Sequence, residues 1–194
     1  MKRMAIKNKT KPQPQRAERR TDGLSKARIV DAAIQILDTD GESALTFRAL
    51  AAHLATGSGA IYWHVASKDE LLAAAADDVI ARAVAEVSSD AAPADTVRAV
   101  GLGVFDAIDA HPWVGTQLSR APWQSAMVQI FEGVGGQLQR LGVPERAQFD
   151  CASALVNYIL GVAGQNAANA RLHAPDTDRS AVLGSVAARW AQLD

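Results

Sequence analysis

Cysteine is almost missing from this chain: Cys151 is the single thiol in 194 residues, so no internal disulfide can form. That one thiol and four scattered histidines also give no CxxC-type zinc frame. No apolar run approaches the ~20 residues needed to cross a bilayer. The first twenty residues, MKRMAIKNKTKPQPQRAERR, carry charge without an apolar stretch, which excludes a secretory signal. No segment alternates strictly between apolar and polar residues, so strands are not expected, and no internal repeat is visible. These absences predict a protein of the reducing cytoplasm, without a membrane span. At 48% hydrophobic and 21% charged residues, the composition is that of a globular chain.

What is present is unevenly distributed. The net charge of −1 conceals a basic front and an acidic back. Residues 1–20 hold Lys2, Arg3, Lys7, Lys9, Lys11, Arg16, Arg19 and Arg20 against Glu18 alone. Most acidic residues follow Lys68. This asymmetry points to a polyanion at one end. A solvated arm that only aids solubility is the plainer reading of such a tail. Pro12 and Pro14 among polar neighbours disfavour helix, so residues 1–20 are expected to form a flexible arm.

From Leu24 onward the pattern is helical. Val30, Ala33, Ile34 and Leu37 fall at i, i+3, i+4 and i+7. Ser25 is the expected N-cap and Gly41 the expected stop. A second short helix fits 46–53, capped near Thr46, and a third fits 57–63. Ser67 and Glu70 have the spacing of a capping box that opens a long helix. Pro93 breaks the pattern, and further helices are expected over 95–110, 112–119, 122–141, 145–170 and 178–192. Pro112, Pro122, Pro144 and Pro175 stand near the starts, where a missing N–H costs little. Phe149, Ala152, Val156, Ile159, Leu160 and Ala163 form the apolar stripe of the 145–170 helix. The predicted fold is all-α: a flexible basic arm (1–20), a small three-helix unit (21–66) and a larger helical domain (67–194).

Residues 46–64, TFRALAAHLATGSGAIYWH, read as two short helices joined by a tight turn. Leu50, Ala51, Leu54 and Ile61 can lock the pair, so that the second helix projects as a major-groove reader must. The same residues also suit an αα-hairpin that merely packs. The sequence around them decides the reading. Residues 24–72 resemble the DNA-binding domain of the TetR (tetracycline-repressor-like) family. The resemblance lies in Ile29, Val30, Ala32 and Ala33, then Gly41, then Leu45-Thr46-Phe47-Arg48 and Leu50-Ala51. Its most specific part is Ile61-Tyr62-Trp63-His64-Val65 followed by Lys68 and Leu71-Leu72.

The resemblance implies a homodimeric repressor, not an enzyme, that binds an inverted-repeat DNA operator. It further implies that a small-molecule effector in the C-terminal domain changes the spacing of the two reading heads. The candidate DNA-binding residues are Thr46, Arg48, Ser58, Ala60, Tyr62, His64 and Lys68. Thr46 caps the second helix and can touch phosphate. Arg48 suits either a phosphate contact or a helix-to-helix salt bridge, and Lys68 stands at a helix N-terminus where anions are favoured. Tyr62 and His64 can donate to phosphates or base edges, Tyr62 being alternatively part of the core, and Trp63 is expected to pack inside the domain. The reading segment Gly57-Ser58-Gly59-Ala60 has no Lys, Arg, Asn or Gln, so bidentate base contacts are absent. Ser58 can make one hydrogen bond and Ala60 can touch a thymine methyl. Affinity should therefore lean on phosphates and on the arm, with a steep salt dependence.

The larger domain offers few catalytic candidates: His111, His173 and Cys151 share no local signature. Trp113, Gln117, Arg120, Trp123, Met127, Phe131, Asn157 and Tyr158 combine large apolar groups with a few polar ones, as an effector pocket requires. Ordinary core and surface roles fit each of them equally well. The C-terminal part also resembles the tetracycline repressors themselves, where a histidine near the segment matching Thr116–Leu118 helps to hold magnesium. Gln117 stands there in this chain, so neither a metal nor another cofactor is expected. By the same resemblance the helices near 146–169 and 178–192 would build the dimer's four-helix bundle. Two alternatives remain at this point: a DNA-binding regulator with no small-molecule effector, and a helical enzyme.

Overall fold

A computed structural model of the chain describes residues 24–85, 87, 91–121, 123–172 and 179–192. The expected basic arm, and with it Pro122, His173 and Pro175, lies outside the described residues. Among the described residues there are nine α-helices and no strand. They are α1 (Lys26–Asp40), α2 (Phe47–His53), α3 (Ser58–Tyr62), α4 (Lys68–Ala85) and α5 (Pro93–Ala110). The remainder are α6 (Pro112–Arg120), α7 (Ser125–Arg140), α8 (Glu145–Leu172) and α9 (Arg179–Trp190).

The helix starts follow from local chemistry. Ser25 Oγ accepts from the Arg28 amide at 3.3 Å, and Thr46 Oγ1 accepts from the Ala49 amide at 3.0 Å, each filling one of the orphan donors of a first turn. At α4, Ser67 Oγ accepts from the Glu70 amide at 3.1 Å. The returning bond differs from a standard capping box: Glu70 Oε2 accepts from the Ala66 amide at 2.8 Å, one residue further back than the box predicts. Gly41 ends α1 at φ +78°, a conformation that side chains oppose. Pro93 does not simply interrupt the helical pattern. It occupies the first turn of α5, where its fixed φ suits the helix.

One apolar core runs through the chain from Ile29 and Leu37 on α1, through Leu71 and Ile80 on α4, to Val104, Ile130 and Val156. The expected division at 66/67 falls in the link before α4, and the core crosses it without a break. Helix α4 thus belongs to both halves. Its C-terminal end crosses α5 closely, since a Cβ built at Gly103 would lie 3.0 Å from the Ala83 carbonyl oxygen. Three polar ties fix α4 to α1 and the loop that follows it: Lys26–Glu70 at 3.1 Å, Arg82–Asp31 at 2.8 Å, and Lys68 Nζ on the Glu42 carbonyl. The described side chains of helix α9 are exposed. No helix among the described residues is long and apolar enough to cross a membrane.

Candidate nucleic-acid interface and effector groove

The head is built from α1, α2 and α3. Leu45, Leu50, Ile61 and Val65 fill its interior and hold α2 and α3 at a fixed angle. The turn between them is tight: the Thr56 amide reaches the Ala51 carbonyl at 2.9 Å, and Ala55 takes φ +50°. The Tyr62 ring stacks on Phe47 of α2, centroids 4.3 Å apart and planes 13° from parallel. That contact spends one face of the ring, yet Tyr62 remains 55% exposed.

Trp63 departs from its expected packing role, being 89% exposed. The reason is register. Helix α3 ends at Tyr62, and Ile61 and Val65 take the inward positions on either side of the following turn, which leaves Trp63 outside. Arg48 is exposed on the first turn of α2 and has no hydrogen bond or ion pair to another described residue, so the salt-bridge alternative is not realised. Thr46 and Ser58 are exposed, and Ala60 and His64 are half-buried. Lys68 is half-buried and donates to the Glu42 carbonyl, so its ammonium serves the fold whatever else it meets. Gly57 caps α3 without a side-chain bond, and a Cβ at Gly57 or Gly59 would meet nothing within 4 Å. The five-residue α3 therefore presents a small face that ends on Tyr62, with Trp63 just after it and Arg48 on the first turn of α2.

The structure does not bring all eight expected effector residues into one pocket. Trp113 and Arg120 line a polar cleft between α6 and α1, with Asp38 and Glu42 on the opposite wall. Trp113 is 7% exposed, and its Nε1 donates to Asp38 Oδ1 at 2.8 Å. His111 Nδ1 donates to the same carboxylate at 2.8 and 2.9 Å. Arg120 Nη1 donates to both oxygens of Glu42, at 2.9 and 2.8 Å. These five side chains tie α1 and the loop after it to the α5–α6 corner, and so join the head to the larger domain. Gln117 is buried behind them and reaches Gln124 Oε1 at 3.4 Å.

Trp123, Met127, Phe131 and Asn157 do come together. They line a groove of about 570 Å³ between α7 and α8, completed by Val128, Glu132, Gly135, Gln148, Phe149, Ala152 and Ser153. Phe131 and Phe149 lie parallel, 6.2 Å between centroids, and form its aromatic wall. Phe149 was expected in the core stripe of α8 and is exposed instead, because its ring lines the open groove and not the core. Tyr158 is exposed outside the groove. Sequence reasoning missed Phe149, Gln148 and Ser153 as lining residues. Their only signal is the i, i+4 spacing of Gln148, Ala152 and the nearby Ser153 on one side of α8, which is indistinguishable from core spacing until α7 is placed against it. Among the described residues no group of three or more His, Cys, Asp or Glu side chains is arranged to hold a metal ion.

Residues 29–75 match the family described as bacterial regulatory proteins, tetR family. The fold is similar to that of the transcriptional regulator SCO7222, a TetR from Streptomyces coelicolor, at 51% identity over 89% of this chain and 81% of that one, with a TM-score of 0.79. It is also similar to BioQ, solved with its natural double-stranded DNA operator, at 28% identity over 78% of this chain and 90% of that one, with a TM-score of 0.66. A curated relative, an HTH-type transcriptional regulator of Saccharopolyspora erythraea, is 29% identical over 76% of this chain, which spans 63% of that relative's length. The likeness to SCO7222 runs through head and larger domain alike, and the chain belongs to the TetR family of transcriptional regulators.

Proposed function

We propose that the protein is a homodimeric, sequence-specific repressor of transcription, working in the cytoplasm, that leaves its inverted-repeat operator when a small apolar molecule occupies the α7–α8 groove. The observation that carries the DNA-binding part is the outer face of the head. There Arg48 lacks a partner among the described residues, and Tyr62 and Trp63 stand exposed on the adjoining element. A cation and two aromatic side chains around a smooth short helix suit a groove edge and its phosphates. Thr46, Ser58, Ala60 and His64 lie around the same helix pair. BioQ, a relative by fold, is known with a double-stranded operator, which supports the same partner here. The effector part is supported by the open aromatic groove, whose size and mixed lining suit a drug-sized ligand.

The test is selection of bound duplexes from a random DNA pool at near-physiological salt, with the full chain and with a chain lacking residues 1–20. The full chain should enrich an inverted repeat. The shortened chain should enrich the same repeat with weaker affinity and a shallower dependence on salt, because up to eight phosphate-pairing cations are gone. A folded dimer that enriches no sequence would overturn the operator reading.

A further inference from the structure

The strongest unexplained polar contact in the larger domain joins α4 to α7. Asp77 projects from the middle of α4, half-buried, and its Oδ1 accepts a hydrogen bond from the Ala126 amide at 2.6 Å. Ala126 is the second residue of α7, so its amide is one of the donors that a helix cannot satisfy internally. The helix's own N-cap residue, Gln124, makes no side-chain cap bond. Ala126 is fully buried, so water does not replace a lost acceptor. Asp77 therefore supplies, from another helix, the cap that α7 lacks.

The place of this bond gives it a second meaning. On one side, α4 is tied to α1 by Glu70 and Arg82, and to the loop after α1 by Lys68. On the other, the capped turn follows Trp123 and opens the helix that carries Met127, Val128 and Phe131 into the groove. Within the turn, backbone bonds join Gln124 to Ala121, Met127 and Val128, but its side chain adds little. Gln124 Nε2 is buried without a partner, and the Gln117–Gln124 bond is long at 3.4 Å. A molecule pressed against Trp123 and Met127 meets a turn whose outside bond runs to α4, the helix shared by the two halves.

We propose that Asp77 is the positioning residue that couples occupancy of the α7–α8 groove to the orientation of the DNA-reading head, by holding the Ala126 amide. This rests on the reading of the protein as an operator-binding regulator. Coupling is reciprocal, so what the groove does to the head, DNA at the head must do to the groove. Burial pushes the Asp77 carboxyl above its ordinary range while the Ala126 amide draws it back, as expected of an acceptor held inside the structure for one donor.

The test uses the full chain and the duplex selected above as the probe, with hydrogen exchange read over residues 124–132. In the unaltered protein, duplex binding should change exchange in this segment by about fivefold or more. Asp77→Ala should still bind the duplex but lose that change, the two exchange rates becoming equal. Asp77→Asn keeps a carbonyl acceptor and should restore it. If Asp77→Ala does not fold, Asp77→Gln takes its place, since the extra methylene moves the acceptor off the amide. A change that persists in Asp77→Ala or Asp77→Gln, or that Asp77→Asn fails to restore, overturns the coupling. So does an unmoved segment in an unaltered protein that has bound its duplex. Failure of the unaltered protein to bind any duplex is a different result: it overturns the operator reading, and the coupling falls with it.

Discussion

Ala55 holds the turn between the two helices of the reading unit, and it does so at φ +50°, where an L-residue's Cβ crowds the following carbonyl. The turn has nowhere else to put that conformation. The Ala55 amide is committed to the Ala52 carbonyl and the Thr56 amide to the Ala51 carbonyl, while Leu50 and Ile61 lock the helices on either side. Alanine is the smallest residue that pays the left-handed penalty, and a β-branched residue pays more. Ala55→Gly should therefore leave stability unchanged or raise it by up to about 1 kcal/mol, the relief being partly offset by glycine's greater freedom when unfolded. Ala55→Val should lower it by more than about 1 kcal/mol. Chemical denaturation of the two variants beside the unaltered chain checks both signs. Equal losses for the two would mean that the turn's conformation is not what stores the energy.

At the scale of elements, the start of α4 shows how much was legible in advance. Ser67 and Glu70 announce a helix start by spacing alone, as Ser25 and Thr46 do, because a cap is a contact between residues three apart and sequence shows such contacts directly. The partners that come from a distance were hidden. Nothing near Trp113 in sequence tells that its indole N–H meets Asp38, and without that bond the residue reads equally well as ligand-binding. Asp77 is hidden for the same reason, and Trp63 because one residue of register decides whether it faces in or out. Glu70 combines both kinds of contact. The Ala66 amide and then the Lys26 ammonium favour its ionised form and hold its carboxyl below the ordinary carboxylate range. With the folded pKa below the unfolded one, ionised Glu70 contributes stability above the unfolded pKa, and this contribution disappears as pH falls through the depressed folded value. Thermal melts of the unaltered chain and Glu70→Gln, compared from about pH 7 down to about pH 3, should show the widest gap near neutrality and its closure in acid. A gap that stays constant across this range would mean that the carboxylate's charge plays no part in holding α4 to α1.

For the whole molecule, the decisive feature is an apolar surface that a single chain leaves open. Leu183, Val186 and Trp190 lie at i, i+3 and i+7 on α9 and form one stripe, 69%, 47% and 74% exposed. Tyr158 and Val162 are exposed apolar residues on α8. A twelve-residue helix is marginal in water on its own, so α9 needs a surface to lie against. In the two-fold dimer proposed above, the stripe of one copy would cover that of the other, and every substitution is made twice. Leu183→Glu removes two leucine burials, about 1.5–3 kcal/mol each, and adds two carboxylates to the interface. The dimer should then dissociate at concentrations about a hundredfold higher or more, since each 1.4 kcal/mol is a factor of ten. Sedimentation across a dilution series should show a dimer for the unaltered chain and a monomer for Leu183→Glu at the same concentration. Operator affinity should fall with it, because two heads on one assembly grip two half-sites at the cost of a single encounter, and separate chains do not. A Leu183→Glu chain that stays dimeric and binds its duplex undiminished would place the interface elsewhere and leave the stripe of α9 free for a different partner.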